Sequence, residues 1–205
     1  MIRLFKDISA ALCRARLPIL WIALTYLVGA STGAVLVHAH NRFALNCRDS
    51  LVGRASQSDP ASIALSRGHW VRAASEDFAG NLLAGAVPST IMGLSVALPF
   101  PVAAYRGWVG GIVSIDGRHR SRLADPRECA YYAGVLVLQL IPYTLAGAAG
   151  VRLGLAFVFP RSRWAYSSPQ RWWGLPAEGV RDVLRIYLLV VPMFLVAAVV
   201  EFAAR

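Results

Sequence analysis

Long apolar runs alternate along the chain with short stretches that hold most of its charges, and the spacing within each stretch predicts the element that it forms. Residues 1–16 place Ile2, Phe5, Ile8 and Leu12 at helical spacing, with Arg3, Lys6, Arg14 and Arg16 among the positions between them. This is the pattern of an amphipathic helix lying in the membrane interface. Residues 17–37 contain no charge, and at about 1.5 Å per residue they are long enough to cross a hydrocarbon core of about 30 Å. They are read as a first, uncleaved span, since the apolar core of a signal peptide is only about 7–15 residues long.

Residues 38–74 turn polar and predict a surface segment, in which Asp59-Pro60 supplies an N-cap and a first-turn proline for a short helix through Ile63, Leu65 and Trp70. Ser75-Glu76-Asp77 reads as the next helix start, its acids suited to the positive end of the helix dipole. From Phe78 to Ile115 the only charge is Arg106, and as one helix this run would measure about 57 Å, too long for a single crossing. Pro99 and Pro101 offer the break, giving a second span over 78–97 and a third, or a re-entrant helix, over 102–115.

A basic loop follows, with Arg118, Arg120, Arg122 and Arg127, and Asp125-Pro126-Arg127-Glu128 makes Glu128 part of a helix start rather than a catalytic acid. Residues 128–159 form a long fourth span, expected to bend at Pro142, and from Ala130 to Phe159 its only charge is Arg152. An aromatic and basic linker occupies 160–185, with Trp164, Tyr166, Trp172 and Trp173 suited to headgroup depth. Residues 186–202 form the last span. The expected fold is all-α: a polytopic helical integral membrane protein of about five transmembrane helices, with four as the alternative, plus interfacial amphipathic helices, in one membrane domain over 1–205.

Composition agrees with this pattern. The chain is 57% hydrophobic and 16% charged, against about 45–50% and about 25% in soluble domains. Its net charge of +10 comes from 21 basic residues, of which Lys6 alone is not arginine. These residues lie between apolar runs, which favours topology and lipid headgroups and argues against nucleic acid. Charge counting does not fix orientation cleanly, and a cytoplasmic N-terminus is the expectation. Cys13, Cys47 and Cys129 form no CxxC, and His38 and His40 at a span end read as interfacial polar residues, so no metal or other cofactor is expected.

Three glycine pairs have the spacing that allows close helix approach: Gly29 with Gly33, Gly107 with Gly111, and Gly150 with Gly154, the last reinforced by Gly147. They predict a tightly packed bundle, through intrachain packing or a homo-oligomer contact. Asn81, Ser89, Thr90, Gln139, Tyr143, Thr144 and Arg152 are the polar residues at membrane depth. Arg152 lies close enough to Phe159 to snorkel, and snorkelling or intrachain pairing is expected of it rather than a transport role. Arg106, Glu128, Arg185 and Glu201 are read as span-end charges. HExxH, GxSxG and Walker-type loops are absent from the sequence, which removes the common motifs of metalloproteases, serine hydrolases and nucleotide-driven pumps.

Asn81 opening a glycine-rich span, Y-R-G-W-V-G-G from Tyr105 to Gly111, A-G-A-A-G-V-R-L-G from Ala146 to Gly154, and V-A-A-V-V-E-F ending at Phe202 occur in that order. From Glu76 to Phe202 the chain thereby resembles the stage II sporulation protein M family of prokaryotic membrane proteins. It departs from that pattern at Arg106, where the family usually has asparagine, and at Ile141-Pro142-Tyr143, where Pro-His-Gly followed by glutamate is usual. The resemblance implies a multi-span helical protein of the prokaryotic cytoplasmic membrane that works in a complex.

The expected function is therefore a non-enzymatic scaffold or recruiting subunit whose partners are membrane lipids and other membrane proteins. A small transporter or channel component, with a polar path near Pro142 and Arg152, is one alternative. An accessory subunit of a larger membrane enzyme complex is another.

Overall fold

The computed structural model describes residues 2–203; Met1 and positions 204–205 of the expected single domain lie outside the described residues. The fold is all-α apart from one small hairpin. Three helices are long and apolar enough to cross a membrane: α1 (Ile2–His38), α7 (Pro126–Val158) and α8 (Ala177–Ala203). Inside the protein, α7 buries 56% of its most apolar window, against 22% for α1 and 28% for α8. Thus α7 forms the centre of the bundle, while α1 and α8 direct residues such as Leu20, Leu24, Leu188 and Leu195 outward.

The expected amphipathic helix and first span are one element, since α1 runs through Pro18 without interruption. Its 37 residues measure about 55 Å, so the charged first turns extend beyond the apolar part as a continuation of the helix. The polar segment after it folds as α2 (Arg42–Ser58) and α3 (Pro60–Ser66), capped by Asn41 and Asp59. Then α4 (Trp70–Ala79) begins before the predicted start at Ser75, which lies inside the helix and bonds back to the Val71 carbonyl. A side chain that satisfies its own helix gives no start signal.

Helical geometry continues from α4 through a π-helical turn at Gly80–Ala86 into α5 (Val87–Gly93). Here the Val87 N–H reaches back five residues to the Leu82 carbonyl. Pro88 lacks an N–H and crowds the carbonyl four residues before it, and one widened turn absorbs that conflict. The run ends at Gly93, short of the expected 97, in a tight turn where Val96 takes a φ of 65°. Pro99 then opens α6 (Pro99–Ile112), which begins earlier and ends earlier than the expected 102–115.

Pro142 does not break or divide α7, which is helical on both sides of it and buried around it. Dense packing from neighbouring helices holds such a proline in a membrane helix. The linker after α7 carries a two-residue hairpin, β1 (Arg171–Trp172) with β2 (Leu175–Pro176), whose turn residues Trp173 and Gly174 both have positive φ, 50° and 82°. Two such residues match the right-handed strand twist. Because α8 starts at Ala177, Arg185 lies within the helix rather than at its end, and Arg106 likewise lies inside α6.

Glycine sets the helix directions. A Cβ on Gly107 would overlap the Tyr26 carbonyl and one on Gly111 the Ala30 carbonyl, while Gly29 and Gly33 sit against Ala104 and Trp108 in the same rising order. Helices α1 and α6 therefore run parallel with their backbones touching. In the same way Gly150 meets Thr90 and Gly154 meets Gly93 and Leu94, so α5 and α7 are parallel. Conversely, α8 is antiparallel to α7: Gly179 near its start meets Leu153, and Glu201 near its end receives the Tyr131 hydroxyl on its carbonyl.

Candidate functional site

The π-helical turn places Asn81 and Gly85 where α4, α6, α7 and α8 converge on Tyr143. Asn81 donates to Asp77 at 2.9 Å, and its amide oxygen accepts from the Tyr143 hydroxyl. The Arg106 guanidinium lies over the Tyr143 ring at 3.8 Å, and Phe194 meets that ring edge-on at 4.8 Å. Gly85 makes this crossing possible, since a Cβ there would come within 2.7 Å of the Tyr143 hydroxyl and 2.9 Å of the Arg106 guanidinium. Arg106, half-buried, thus rests on an aromatic face, a cation–π contact that strengthens when desolvated.

Beside this junction Gln139 donates to the Glu201 carboxylate at 3.0 Å, and Tyr132 donates to the Gly110 carbonyl at 2.7 Å. Thr90 links α5 to the Ala146 carbonyl at 2.9 Å and to the Tyr187 hydroxyl at 2.7 Å. Next to these contacts two adjoining cavities open, of about 600 and about 640 Å³, which share Gly110, Val113 and Gln139. The first lies between α2–α3 and α6–α7 and includes Arg122, Tyr131, Tyr132 and Glu201 in its lining. The second continues along α6 past Arg106 and Tyr143 to Pro101 and Tyr105, both exposed.

The opposite end of the bundle is closed by charge. Buried Asp182 accepts two bonds from Arg14, at 2.7 and 2.6 Å, and one each from Arg185 and Tyr166 at 3.2 Å, while Arg185 also reaches Asp7 at 3.2 Å. Arg152 does not snorkel: it is buried, donates to the Trp164 carbonyl at 2.6 Å and lies 4.3 Å from the centre of the Tyr166 ring. The linker folds back over it. That sealing removes Arg152 from any open polar path, and Pro142 is likewise buried.

The seven glycines expected at helix contacts all lie against other helices of the same chain, with Gly147 against Ile22 and Pro99. Of the polar residues, Asn81, Tyr143 and Gln139 share the cleft region, Thr144 is buried with no hydrogen-bond partner for its hydroxyl, and Arg152 belongs to the far end. Glu128 is exposed in the first turn of α7, where the Asp125 side chain caps the helix. Asp182 was not singled out in the sequence, and Arg14, Tyr166 and Arg122 were read only as interfacial, linker and loop residues and not as members of a site. Asp182 alone carried a signal, as an acid inside the R-D-V-L-R-I-Y run at the head of an apolar stretch.

The loop from Val113 to Asp125 holds Arg122 in place. Ile115 pairs with Ser121, and the Arg122 N–H bonds the Ser114 carbonyl. The Asp116 carboxylate accepts the Arg120 and Arg118 backbone N–H groups, which hold its pKa down at about 2. Across from it, hydrogen bonds from Arg48 and then His119 hold the Asp49 carboxyl below its usual range. The chain matches no protein-family model, no curated protein and no solved structure.

Proposed function

We propose that the protein is a non-enzymatic scaffold or recruiting subunit of a complex in the prokaryotic cytoplasmic membrane. One observation carries this reading: the acids and amides among the membrane-facing helices, Asp182, Asp77, Asn81, Gln139 and Glu201, are bonded to side chains of other helices or turns and hold the bundle together. Asp182 is saturated by Arg14, Arg185 and Tyr166, Asn81 ties Asp77 to Tyr143, and Gln139 holds Glu201. The resemblance to the stage II sporulation protein M family supports the same reading.

Helix directions support five membrane-inserted helices rather than four. If α1 rises, α4–α5 descends, α6 rises beside α1, α7 descends beside α5, and α8 rises again, an order that the parallel contacts of α1 with α6 and of α5 with α7 support. With only four crossings, α7 would run the other way. The 14 residues of α6 measure about 21 Å, shorter than the core of about 30 Å, so this helix starts part-way across. The reading keeps the N-terminus in the cytoplasm.

The test is gentle purification of the full chain with chemical crosslinking, followed by identification of what is held. A defined membrane-protein partner captured in stoichiometric amount is the expected result. Recovery of the chain alone, uncrosslinked at native abundance, would sink the scaffold reading.

A second reading, a small carrier, is favoured by the cleft past Gln139 and Tyr143 and not by Arg152. Solute flux through proteoliposomes, absent in a variant with the cleft filled, would support it.

A further inference from the structure

The cleft holds an imbalance among the arginines whose Nε is buried without a partner. Arg48 and Arg152 each have a buried Nε without a partner, yet each directs another guanidinium nitrogen to an acceptor: Asp49 for Arg48 and the Trp164 carbonyl for Arg152. Arg122 also has a buried, unpartnered Nε, and its guanidinium makes no hydrogen bond or ion pair with any described residue. Arg106, further along the same cleft, has its aromatic face contact but no acidic partner among the described residues. Glu201, the acid in the lining, is engaged by Gln139.

A buried donor left unbonded costs about 1–3 kcal/mol, more when charged. The guanidinium fork suits an oxyanion that accepts two bonds at once, and phosphate does so. The remaining lining gives the rest of the occupant's chemistry. Val52, Leu65, Val135 and Leu136 are apolar and continue into Val109 and Pro101 in the adjoining cavity, toward exposed Tyr105. Each cavity lies within the range of about 300–1,000 Å³ typical of ligand sites. A phosphate at Arg122 with an apolar chain running along α6 toward the bilayer fills both requirements.

We propose that this cleft binds an anionic phospholipid, with its phosphate on Arg122, its acyl chain between α6 and α7, and Arg106 adding positive potential along the path. A basic pocket among membrane helices is a known setting for anionic headgroups. The proposal goes beyond the scaffold reading and stands independently of it, since a lipid can be held whether or not a protein partner is.

The test is native mass spectrometry of the full chain in detergent with added phosphatidylglycerol or phosphatidylcholine. Wild type is expected to retain one phosphatidylglycerol about tenfold better than phosphatidylcholine, with Arg122→Gln losing that preference, Arg122→Lys keeping part of it and exposed Arg67→Gln keeping all. Val135→Trp, which fills the cleft and leaves the arginine, is expected to lose the lipid as well, and it covers the case in which Arg122→Gln does not fold. Equal retention of the two lipids, or a preference unchanged in both cleft variants, would overturn the proposal. So would displacement of the lipid by millimolar inorganic phosphate alone, which would mark a free-anion site.

Discussion

The two ends of this bundle handle charge in opposite ways. Where α1 and α8 begin, Asp7, Arg14, Asp182 and Arg185 are joined by side-chain bonds, Tyr166 joins them, and the linker covers Arg152. At the other end Arg106 and Arg122 face a cleft between the membrane helices and the α2–α3 layer. Both ends place arginine beside aromatic rings and apolar walls, yet only at the first are the arginines ion-paired with acids; Glu201 in the cleft is bonded by Gln139, and no described acid pairs with Arg106 or Arg122. A buried polar atom needs a partner, and Asp182 has its partners while the buried Nε of half-exposed Arg122 has none, so the first end reads as structure and the second as a place that receives something.

The comparison can be broken most severely at the seams that support both ends. Gly107→Leu and Gly150→Leu drive side chains into the backbone carbonyls of Tyr26 and Thr90, and overpacking of this kind costs about 3 kcal/mol or more. Loss of the folded monomer, read by size exclusion and thermal melting in detergent, is the expected result. Glycine spacing alone predicts that a Gly150 and Gly154 double leucine variant loses assembly with partners. The intrachain contacts of both glycines predict failure of the fold itself, and a Gly150→Leu protein that melts like wild type would refute the seam.

Charge removal separates the two ends next. Asp182→Ala leaves Arg14 and Arg185 without their shared acid, a change of about 3–5 kcal/mol for a broken buried pair. Arg122→Ala should shift the melting midpoint far less, because it removes no bond within the protein. Similar melting losses in the two variants would erase the distinction drawn between closed and receptive ends.

Asn81→Ala should cost about 1–2 kcal/mol, the effect of an interrupted hydrogen-bond chain, and a double-mutant cycle with Tyr143→Phe checks whether the two act through one bond. Additive effects would show that they do not. Smallest of all, a methyl group added at Gly134 on α7 would meet nothing within 4 Å, so Gly134→Ala is expected to be neutral or to gain up to about 1 kcal/mol. A marked loss there would mean that this face packs against something.

Much of this organisation was legible in the chain. The apolar run from Ala130 to Phe159 implied a membrane helix, Asp125-Pro126 marked its start, and Pro99 and Pro101 marked the break before α6, which opens at Pro99 and not at 102. Other features were hidden for physical reasons. Ser75-Glu76-Asp77 looked like a start because capping chemistry and helix-interior chemistry use the same residue types, and only the position of Trp70 at the helix start distinguishes them. Pro142 promised a bend, and the sequence could not show the packing that keeps α7 helical on both sides of it. The π-helical turn follows from Pro88 only once the neighbouring helices require the chain to stay helical.

Composition and periodicity alone determined that this is an all-α protein with helices suited to a membrane, since burying backbone in hydrocarbon leaves few alternatives. The same patterns placed glycines at spacings that permit contact. Which glycine meets which helix, whether Arg152 reaches water or a carbonyl, and which arginine lacks an acid were decided only in three dimensions. Each depends on residues far apart in the chain, such as Arg14 with Asp182 and Asn81 with Tyr143, and a local pattern cannot record which distant group will arrive to satisfy a charge.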